Sequence, residues 1–494
     1  MTAQAITLKD RFAEVGIAPA SVTGMAEHTA EVQPGFAFVA TAPSAQSVRQ
    51  HVDQACAQGA ALVLLDSSSS LAAESIPVPS LRIPQLGQHK GTLAAEFYGE
   101  PSRQMMCLGV TGTNGKTSTA FYLADLLQKV GFASAYCGTL GVGRLDHLQY
   151  DEQAMTTPNA VALQRILHQF CTAGVQWVAL EISSHALDQQ RAQGVSLRCG
   201  IFTNLSRDHL DYHQSMQAYG QAKARLFQDF DLEVAVINQD DEFGQELIRS
   251  LNPSVQLVTY GEGADWSWCR NPEQPAQVSW VTPYGEFSAQ VNLVADYQIA
   301  NLTAALAALV ASGVDIAALF SVVPMLAAVP GRLELVSQAV TAPASQPQVL
   351  VDFAHTPDAL AKVLNSLRHA AAGRLFCVVG CGGDRDRGKR SLMAQAALQG
   401  SDQVWFTSDN PRSESPQTIV DDMLADVTKP QQTQVNVELD RRQAIHQAVA
   451  AAGAADTVLI AGKGDERYQE IAGVKYDFDD REVAHAAIQA RRDS

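Results

Sequence analysis

Short apolar runs alternate with helix-length amphipathic stretches along most of the chain, and this alternation predicts an α/β fold. Phe36–Val39, Ala61–Leu65, Met105–Val110, Trp177–Ile182 and Val234–Asn238 have the length and residue types of buried strands. Val349–Phe353, Leu375–Gly380, Val404–Thr407 and Thr457–Ala461 repeat the pattern, so a second doubly wound sheet is expected towards the C-terminus. Between the two series, Val278–Val294 reads as a hairpin turning at Pro283-Tyr-Gly285. Ala120–Val130 and the alanine-rich Asn301–Ser312 predict helices, and a further helix starts at Pro357. With 494 residues the chain exceeds one ordinary core; at about 100–200 residues per domain it divides into three. The expected domains are 1–86, 87–335 and 336–494, linked near Ile83–Gly87 and near Pro330–Glu334.

Composition narrows the class. Hydrophobic residues make up 46% and charged residues 18%, with no apolar run long enough to cross a bilayer. Met1–Asp10 lacks the basic-then-apolar order of a secretory leader, so a cytoplasmic protein is expected. Eight cysteines lie scattered without a C-x-x-C pair, and Cys377 and Cys381 are expected to pack as reduced thiols. A net charge of −17 argues against a nucleic-acid or anionic-membrane surface. An anionic substrate would therefore be met by local cations, and Lys116, Arg191, Arg332, Arg385, Lys389, Arg390 and Arg412 all lie beside glycine-rich or polar turns.

Candidate chemistry begins at Gly109-Val-Thr-Gly-Thr-Asn-Gly-Lys-Thr117, between a predicted strand and a predicted helix. Glycines let backbone N–H groups turn towards phosphates, Lys116 reaches the outer phosphates, and the Thr117 hydroxyl suits Mg²⁺. Val110 stands where the strict spacing of such loops asks for glycine. Glu181 ends an apolar strand, where parallel sheets bind ligands, and is a candidate Mg²⁺ ligand. His209 and His213 lie four apart without partner cysteines, which disfavours zinc; His209 on a second magnesium and a structural histidine both remain open. Lys223 reads, on chemistry alone, as a surface lysine.

Taken with Thr156-Thr-Pro158, Glu181-Ile-Ser-Ser-His185, Asn204-Leu-Ser-Arg-Asp-His-Leu-Asp-Tyr-His213, Asp352-Phe-Ala-His-Thr-Pro357, Gly380–Arg390 and Asp409-Asn-Pro-Arg412, the chain resembles the Mur ligases, in their tripeptide-forming branch, from about residue 89 onward. The resemblance implies three α/β domains: a small N-terminal one, a central P-loop-type ATPase with a mostly parallel sheet, and a C-terminal Rossmann-like one. It also implies ligation by ATP and Mg²⁺ of an amino acid to UDP-MurNAc-L-Ala-D-Glu, through an acyl phosphate. On that basis Gly112, Thr113, Asn114, Gly115, Lys116, Thr117, Ser118, Asn301, Arg332 and His355 would bind ATP. Lys116, Glu181, His209 and Lys223 would be catalytic, with Lys223 carbamylated and joining Thr117, Glu181 and His209 as metal ligands. Thr29, Thr156, Thr157, Ser183, Gln189 and Arg191 would hold the UDP-MurNAc-peptide. Arg385, Asp409, Asn410, Pro411, Arg412, Gly462 and Glu466 would hold the amino acid. The Asp-Asn-Pro-Arg form points to meso-diaminopimelate, whose distal carboxylate a guanidinium matches bidentately. Family analogy also makes a monomer the expectation, with closure of the domains completing the site.

The chain departs from the family at His28-Thr-Ala30 and Thr41–Ser47 in the first domain, and at Met155, Gln298 and Asp465. Competing readings are a folylpolyglutamate-synthase-like ligase, a P-loop phosphotransferase or ATPase, and a catalytically degenerate paralogue that binds the nucleotide-peptide without turnover.

Overall fold

The computed structural model describes residues 8–12, 15–41, 44–149, 155–271, 273–336 and 346–492. Its chain forms two compact units, Met1–Ser267 with Thr303–Leu319, and Trp268–Leu302 with Phe320–Ser494.

The first unit contains two sheets. Gly24–Ala26, Phe36–Ala40, Leu62–Asp66 and Ser80–Ile83 run parallel in chain order. Because successive strand side chains point to opposite faces, Val39, Leu62 and Leu64 pack with Leu86, Ala94 and Phe97 of the Leu86–Phe97 helix. Phe36, Phe38, Val63 and Leu65 instead meet Val48, Val52 and Ala55 of the Ala45–Ala57 helix. The helix that follows Pro84 and Gln85 thus shares the core of the N-terminal sheet. Part of the Thr41–Ser47 turn lies outside the described residues.

The larger sheet has the order Gln256–Tyr260, Val234–Asn238, Cys199–Phe202, Met106–Thr111, Trp177–Glu181, Ser134–Gly138, Gly141–Gly143. Only the last strand pairs antiparallel. Val110 is in register with Glu181 and Thr111 with Phe202, so the three strand ends emerge side by side. That is where parallel sheets put their ligands. The helix beginning at Lys116 starts one turn earlier than the apolar pattern predicts, because Thr117, Ser118 and Thr119 are themselves buried in its first turn.

The second unit is built on a six-stranded sheet, ordered Glu334–Leu335, Gln348–Asp352, Thr457–Ala461, Leu375–Val379, Gln403–Phe406, Val435–Val437, parallel except at its first strand. Insertion of the latest long strand between the two earliest brings Asp352, Ala461 and Val379 together at one edge. The predicted hairpin is Gln277–Thr282 against Gly285–Gln290, with Thr282 opposite Gly285 and only Pro283 and Tyr284 between. A second hairpin pairs Tyr468–Ile471 with Val474–Asp477. Among the described residues no helix is long and apolar enough to cross a membrane.

Arg441 is fully buried and forked onto Asp480 at 2.7 and 2.6 Å, while its guanidinium also donates to the carbonyl oxygens of Ala461 (3.0 Å) and Ser408 (3.4 Å). One ion pair therefore ties two helices to two strand ends. Removing one partner strands a buried charge, whereas replacing both with apolar groups is far milder. Asp480→Ala is expected to lower unfolding stability by about 3–5 kcal/mol in urea melts, and Arg441→Met with Asp480→Leu to recover most of it.

Asp352 is a second buried charge, accepting from the amides of Leu333 (2.7 Å) and Ala354 (2.8 Å). Burial pushes its carboxyl up to about 6, against the pull of Arg332 and these two amides. Between the unfolded value of about 4 and this one, the folded chain holds the extra proton, so this group's contribution to stability falls as pH rises through that window. Asp352→Asn is expected to flatten the decline of the urea midpoint between about pH 4 and pH 6.

Candidate functional site

The phosphate-binding candidate loop leaves its strand at Gly112, where φ is +152° and a Cβ would collide with Thr203 Oγ1. Only glycine fits so close to the neighbouring strand end. The Thr113 and Asn114 amides donate to Asn204 O (2.8 Å) and Asn204 Oδ1 (3.0 Å), and Thr203 Oγ1 donates to Asn114 O at 2.6 Å. The loop is thus braced from behind, and the first-turn amides of the helix beginning at Lys116 are the donors a helix start leaves without intrahelical partners. Lys116 Nζ lies over the loop, 2.8 Å from the carbonyl oxygens of both Gly112 and Thr113.

Glu181 sits at the next strand end with 1% of its surface exposed. Thr117 Oγ1 donates to Glu181 Oε2 at 2.9 Å, and Thr139 Oγ1 reaches the same oxygen at 3.3 Å. Oε1 accepts from the Thr139 amide at 2.9 Å and from the Tyr136 hydroxyl. Among the described residues Glu181 has no ion-pair partner. No group of three or more His, Cys, Asp or Glu side chains among them is arranged to hold a metal unaided. Such a site suits Mg²⁺, which commonly takes one or two carboxylates and completes its shell with substrate phosphates and water.

Lys223 contradicts its reading as a surface lysine. It lies on the apolar-facing side of the Met216–Gln228 helix, 1% exposed, with Nζ 2.7 Å from Gly112 O and 4.3 Å from the centre of the Tyr219 ring. No carboxylate lies within ion-pair distance of it among the described residues. Burial, reinforced by Lys116, holds its ammonium well below the ordinary lysine range. His209 occupies the left-handed region at φ +52° and stacks edge-on against His185 at 4.9 Å. Burial lowers its pKa, Asp208 opposing. His213 takes a structural place: it is buried, and its Nε2 lies 3.0 Å from Ser184 Oγ.

The residues expected to hold the sugar-peptide converge around the same strand end. Thr156 Oγ1 lies 3.2 Å from Thr139 Oγ1. Thr157 Oγ1 donates to Glu181 O at 2.8 Å and accepts from the Ser183 amide at 3.0 Å, so this buried hydroxyl braces the turn after Glu181. Ser183 Oγ caps the Ser184–Asp188 helix. Arg191 donates to Thr157 O at 3.2 Å and grips Gln189 Oε1 at 2.9 and 2.6 Å, and Gln189 in turn meets Tyr212 Oη at 3.0 Å. Thr29, half-buried in the Thr29–Glu31 turn, makes no side-chain hydrogen bond to this group among the described residues. Its turn is tied to the same region by Glu31, which binds Arg165 at 2.8 Å, and by Glu27, which accepts from the Val161 amide at 3.0 Å and from Lys90.

In the second unit, Asn410 and Glu466 meet around a lysine that the motif reading passed over, and Asp409 accepts from the Asn410 amide beside them. Lys463 is fully buried and donates to Asn410 Oδ1 (3.1 Å) and Glu466 Oε2 (2.9 Å), while Asn410 Nδ2 donates to the same Glu466 oxygen at 2.9 Å. Burial raises the Glu466 carboxyl, with Lys463 pulling the other way. Arg412, in the left-handed region at φ +51°, follows Pro411 and exchanges backbone bonds with Glu470 O (3.0 Å) and the Ala472 amide (2.7 Å). Its guanidinium donates to Gly383 O at 2.8 Å and lies 3.4 Å from Glu470. Gly462 donates its amide to Asp352 O at 3.0 Å, and Arg385 is exposed on the adjacent loop.

Arg332 pairs with Asp465 at 2.7 Å and lies over the Phe353 ring at 4.3 Å. His355 Nδ1 is 3.0 Å from Phe353 O. Asn301 is buried in the Asp296–Ala311 helix, and Gln298 on the same helix is spent on the amides of Val294 and Ala295 and on Arg332 O. Lys463, Glu470, Glu27, Thr203 and Tyr136 were not found from motifs. The one available signal was a polar group inside or beside an apolar strand, which needs a partner.

Comparison with known proteins agrees with this architecture. Residues 110–309 match the Mur ligase middle domain and residues 331–464 the Mur ligase glutamate ligase domain. The chain is 42% identical over 466 residues to a UDP-N-acetylmuramoyl-L-alanyl-D-glutamate–2,6-diaminopimelate ligase of Chromobacterium violaceum, covering 93% of this chain and 92% of that one. A solved structure bearing the same ligase name superposes with a TM-score of 0.68 at 36% identity, covering 95% of each chain. The Mycobacterium tuberculosis folylpolyglutamate synthase, solved with ADP and AMPPCP, shares the fold at 18% identity and a TM-score of 0.61, over 76% of this chain and 92% of that one. The extent of the 42% match, together with the two domain matches, shows that the chain belongs to the Mur ligase family.

Proposed function

We propose that this chain is the ATP-dependent ligase that joins meso-2,6-diaminopimelate to the D-glutamate of UDP-MurNAc-L-Ala-D-Glu. The observation that carries the reading is the Asp409–Arg412 turn, where a guanidinium, a buried carboxamide and the Lys463–Glu466 pair gather at adjoining strand ends. Diaminopimelate offers such a pocket both a distal carboxylate and a distal ammonium. Arg412 matches the carboxylate as a planar fork, and Glu466 suits the ammonium. Arg385, Asp409, Pro411 and Gly462 complete the proposed pocket. Relatives named for the same reaction support the choice, while the folylpolyglutamate synthase leaves about a quarter of this chain unmatched.

A carboxylate is a poor electrophile because it is anionic and would have to expel oxide. Transfer of the γ-phosphoryl group to the glutamyl oxygen, with ADP leaving, supplies a good leaving group. The incoming amine then attacks the acyl carbon, phosphate departs, and the surplus amine proton passes to solvent. Two anions must meet in the first step, so this chain's work is screening and alignment. Lys116 and the first-turn amides of its helix, with Gly112–Ser118 around them, would hold the phosphates. Asn301, Arg332 and His355 are further ATP contacts in this proposal. Thr156, Ser183, Gln189 and Arg191 would orient the MurNAc-peptide, with Thr157 bracing them and Thr29 nearer the nucleotide.

The Thr117 and Glu181 oxygens, 2.9 Å apart and with no cationic side chain paired to the carboxylate among the described residues, fit Mg²⁺. When bound there, that ion neutralises charge between the γ-phosphate and the attacking carboxylate. His209 and carbamylated Lys223 are the proposed holders of a second ion. The Lys223 amine fits this modification: its depressed basicity favours the neutral form, which would attack CO₂, form an N–C bond and lose a proton, putting an anionic oxygen ligand where the amine stood. We further propose that the enzyme works as a monomer in the cytoplasm.

The direct test is phosphate release with ATP, Mg²⁺ and UDP-MurNAc-L-Ala-D-Glu, comparing meso-diaminopimelate, L-lysine and no amino acid. Turnover with diaminopimelate alone is expected; turnover without any amino acid would indicate a plain ATPase, and none at all a degenerate binder. Arg412→Ala is expected to lower kcat/KM for diaminopimelate roughly 100-fold or more while leaving KM for ATP unchanged. Lys223→Ala is expected to lose roughly 10²–10³-fold in kcat and to regain part of it with added short-chain carboxylate. Full activity of the unsupplemented Lys223 variant would remove the carbamate from the mechanism.

A further inference from the structure

We infer that Tyr136 is a positioning residue for the metal-binding carboxylate, an assignment that rests on the Mg²⁺ role proposed for Glu181. Tyr136 is wholly buried in the Ser134–Gly138 strand, immediately beside the strand that ends at Glu181. A buried phenol needs a polar partner. Here the Tyr136 oxygen accepts from the Leu140 amide at 3.2 Å and its O–H is directed to Glu181 Oε1. Because the Leu140 amide is a donor, it takes a lone pair of the phenol oxygen and leaves the Tyr136 proton for the carboxylate.

The two oxygens of Glu181 consequently have different surroundings. Oε1 is taken up by the Tyr136 hydroxyl and the Thr139 amide at 2.9 Å. Oε2 faces two hydroxyls, Thr117 at 2.9 Å and Thr139 at 3.3 Å. Of these, Thr117 belongs to the phosphate loop. Holding Oε1 with two donors fixes the plane of the carboxylate and dedicates Oε2 to the metal side. Without Tyr136 the carboxylate keeps a single backbone donor on Oε1 and gains freedom to rotate about its last torsion.

Gly138 completes the arrangement. A Cβ at this position would strike Glu181 Oε1 and come within 2.5 Å of Tyr136 Oη. The strand therefore approaches the carboxylate as closely as a backbone can, and the phenol and the carboxylate meet across it. Groups that orient a metal ligand without touching the metal typically contribute 10- to 100-fold in metal affinity.

Tyr136→Phe keeps the ring and deletes only the hydroxyl, while Gly138→Ala keeps the hydroxyl and displaces the carboxylate. For both variants and the unmodified chain, we would measure Mn²⁺ binding by electron paramagnetic resonance in the presence of AMPPCP, and the Mg²⁺ concentration dependence of turnover. Melting of the metal-free proteins serves as the control for folding. The expected result is a loss of about 10-fold or more in metal affinity, with a matching rise in the Mg²⁺ needed for half-maximal rate. Turnover at saturating Mg²⁺ should change less, and the metal-free melting temperature of Tyr136→Phe little. Metal affinity and Mg²⁺ dependence of Tyr136→Phe equal to those of the unmodified chain would overturn the inference while leaving the proposed ligase intact. An unmodified chain that turns over without any divalent metal would overturn both.

Discussion

A charge taken out of water must find a counter-charge or wait for one. Desolvating a carboxylate or ammonium costs several kcal/mol even after the surroundings relax, so each buried charge here is informative about its purpose. Arg441 is matched by Asp480, and the fully buried Arg390 is matched by Glu414 and Asp422 at 2.7 and 2.8 Å. These pairs complete themselves within the protein and brace the strand ends and loops around Asp409–Arg412. Glu181 and Lys223 are different. Both are buried, both lie beneath the phosphate loop, and neither has an ion-pair partner among the described residues. Hydrogen-bond donors and acceptors satisfy them only as dipoles. In the proposed mechanism a nucleotide–metal complex would bring the counter-charge Glu181 lacks, and carbamylation would turn the Lys223 amine, whose charged form burial disfavours, into an anionic ligand for the metal.

This distinction explains why the strand order matters. In the larger sheet, Met106–Thr111 lies between Trp177–Glu181 and Cys199–Phe202, so three loops converge without any one of them being long. Gly112 can approach Thr203 only because it lacks a side chain, and Asn204 then takes two amides that a generic reading would assign to phosphate. The loop gives up those donors for rigidity. In the proposed mechanism phosphate is met by the helix start and by Lys116, whose ammonium lies against the loop carbonyls.

Much of this was legible in the chain because it depends on local pattern. Val234–Asn238 and Thr457–Ala461 form as strands at the predicted bounds, and the Pro357 helix starts where proline at its first position allows. The Gly-Lys-Thr loop and Glu181 could likewise be named because strand-end position and residue chemistry suffice. What was not legible required knowing which strands become neighbours. Tyr136 and Glu181 are 45 positions apart and meet only because Ser134–Gly138 pairs with Trp177–Glu181. Lys223 looked exposed because the amphipathic pattern of its helix does not reveal what packs over it. Lys463 was hidden among glycines, and its role depends on Asn410, 53 residues earlier.

Charge balance also bears on selection of the amino acid in the proposed pocket. Lys463 is already half-neutralised by Glu466 and oriented by Asn410, and Arg412 leans on Glu470 rather than standing alone. Such a pocket has cations and anions interleaved, each partly satisfied before any ligand enters. A zwitterionic side-chain terminus exchanges with both signs at once and adds no net charge. L-lysine carries only the ammonium, so it would engage Glu466 while adding uncompensated positive charge near Lys463 and Arg412. Discrimination then arises from repulsion as well as from the absent carboxylate, and rejecting a partner by an unpaired buried charge is a stronger device than a missing apolar contact.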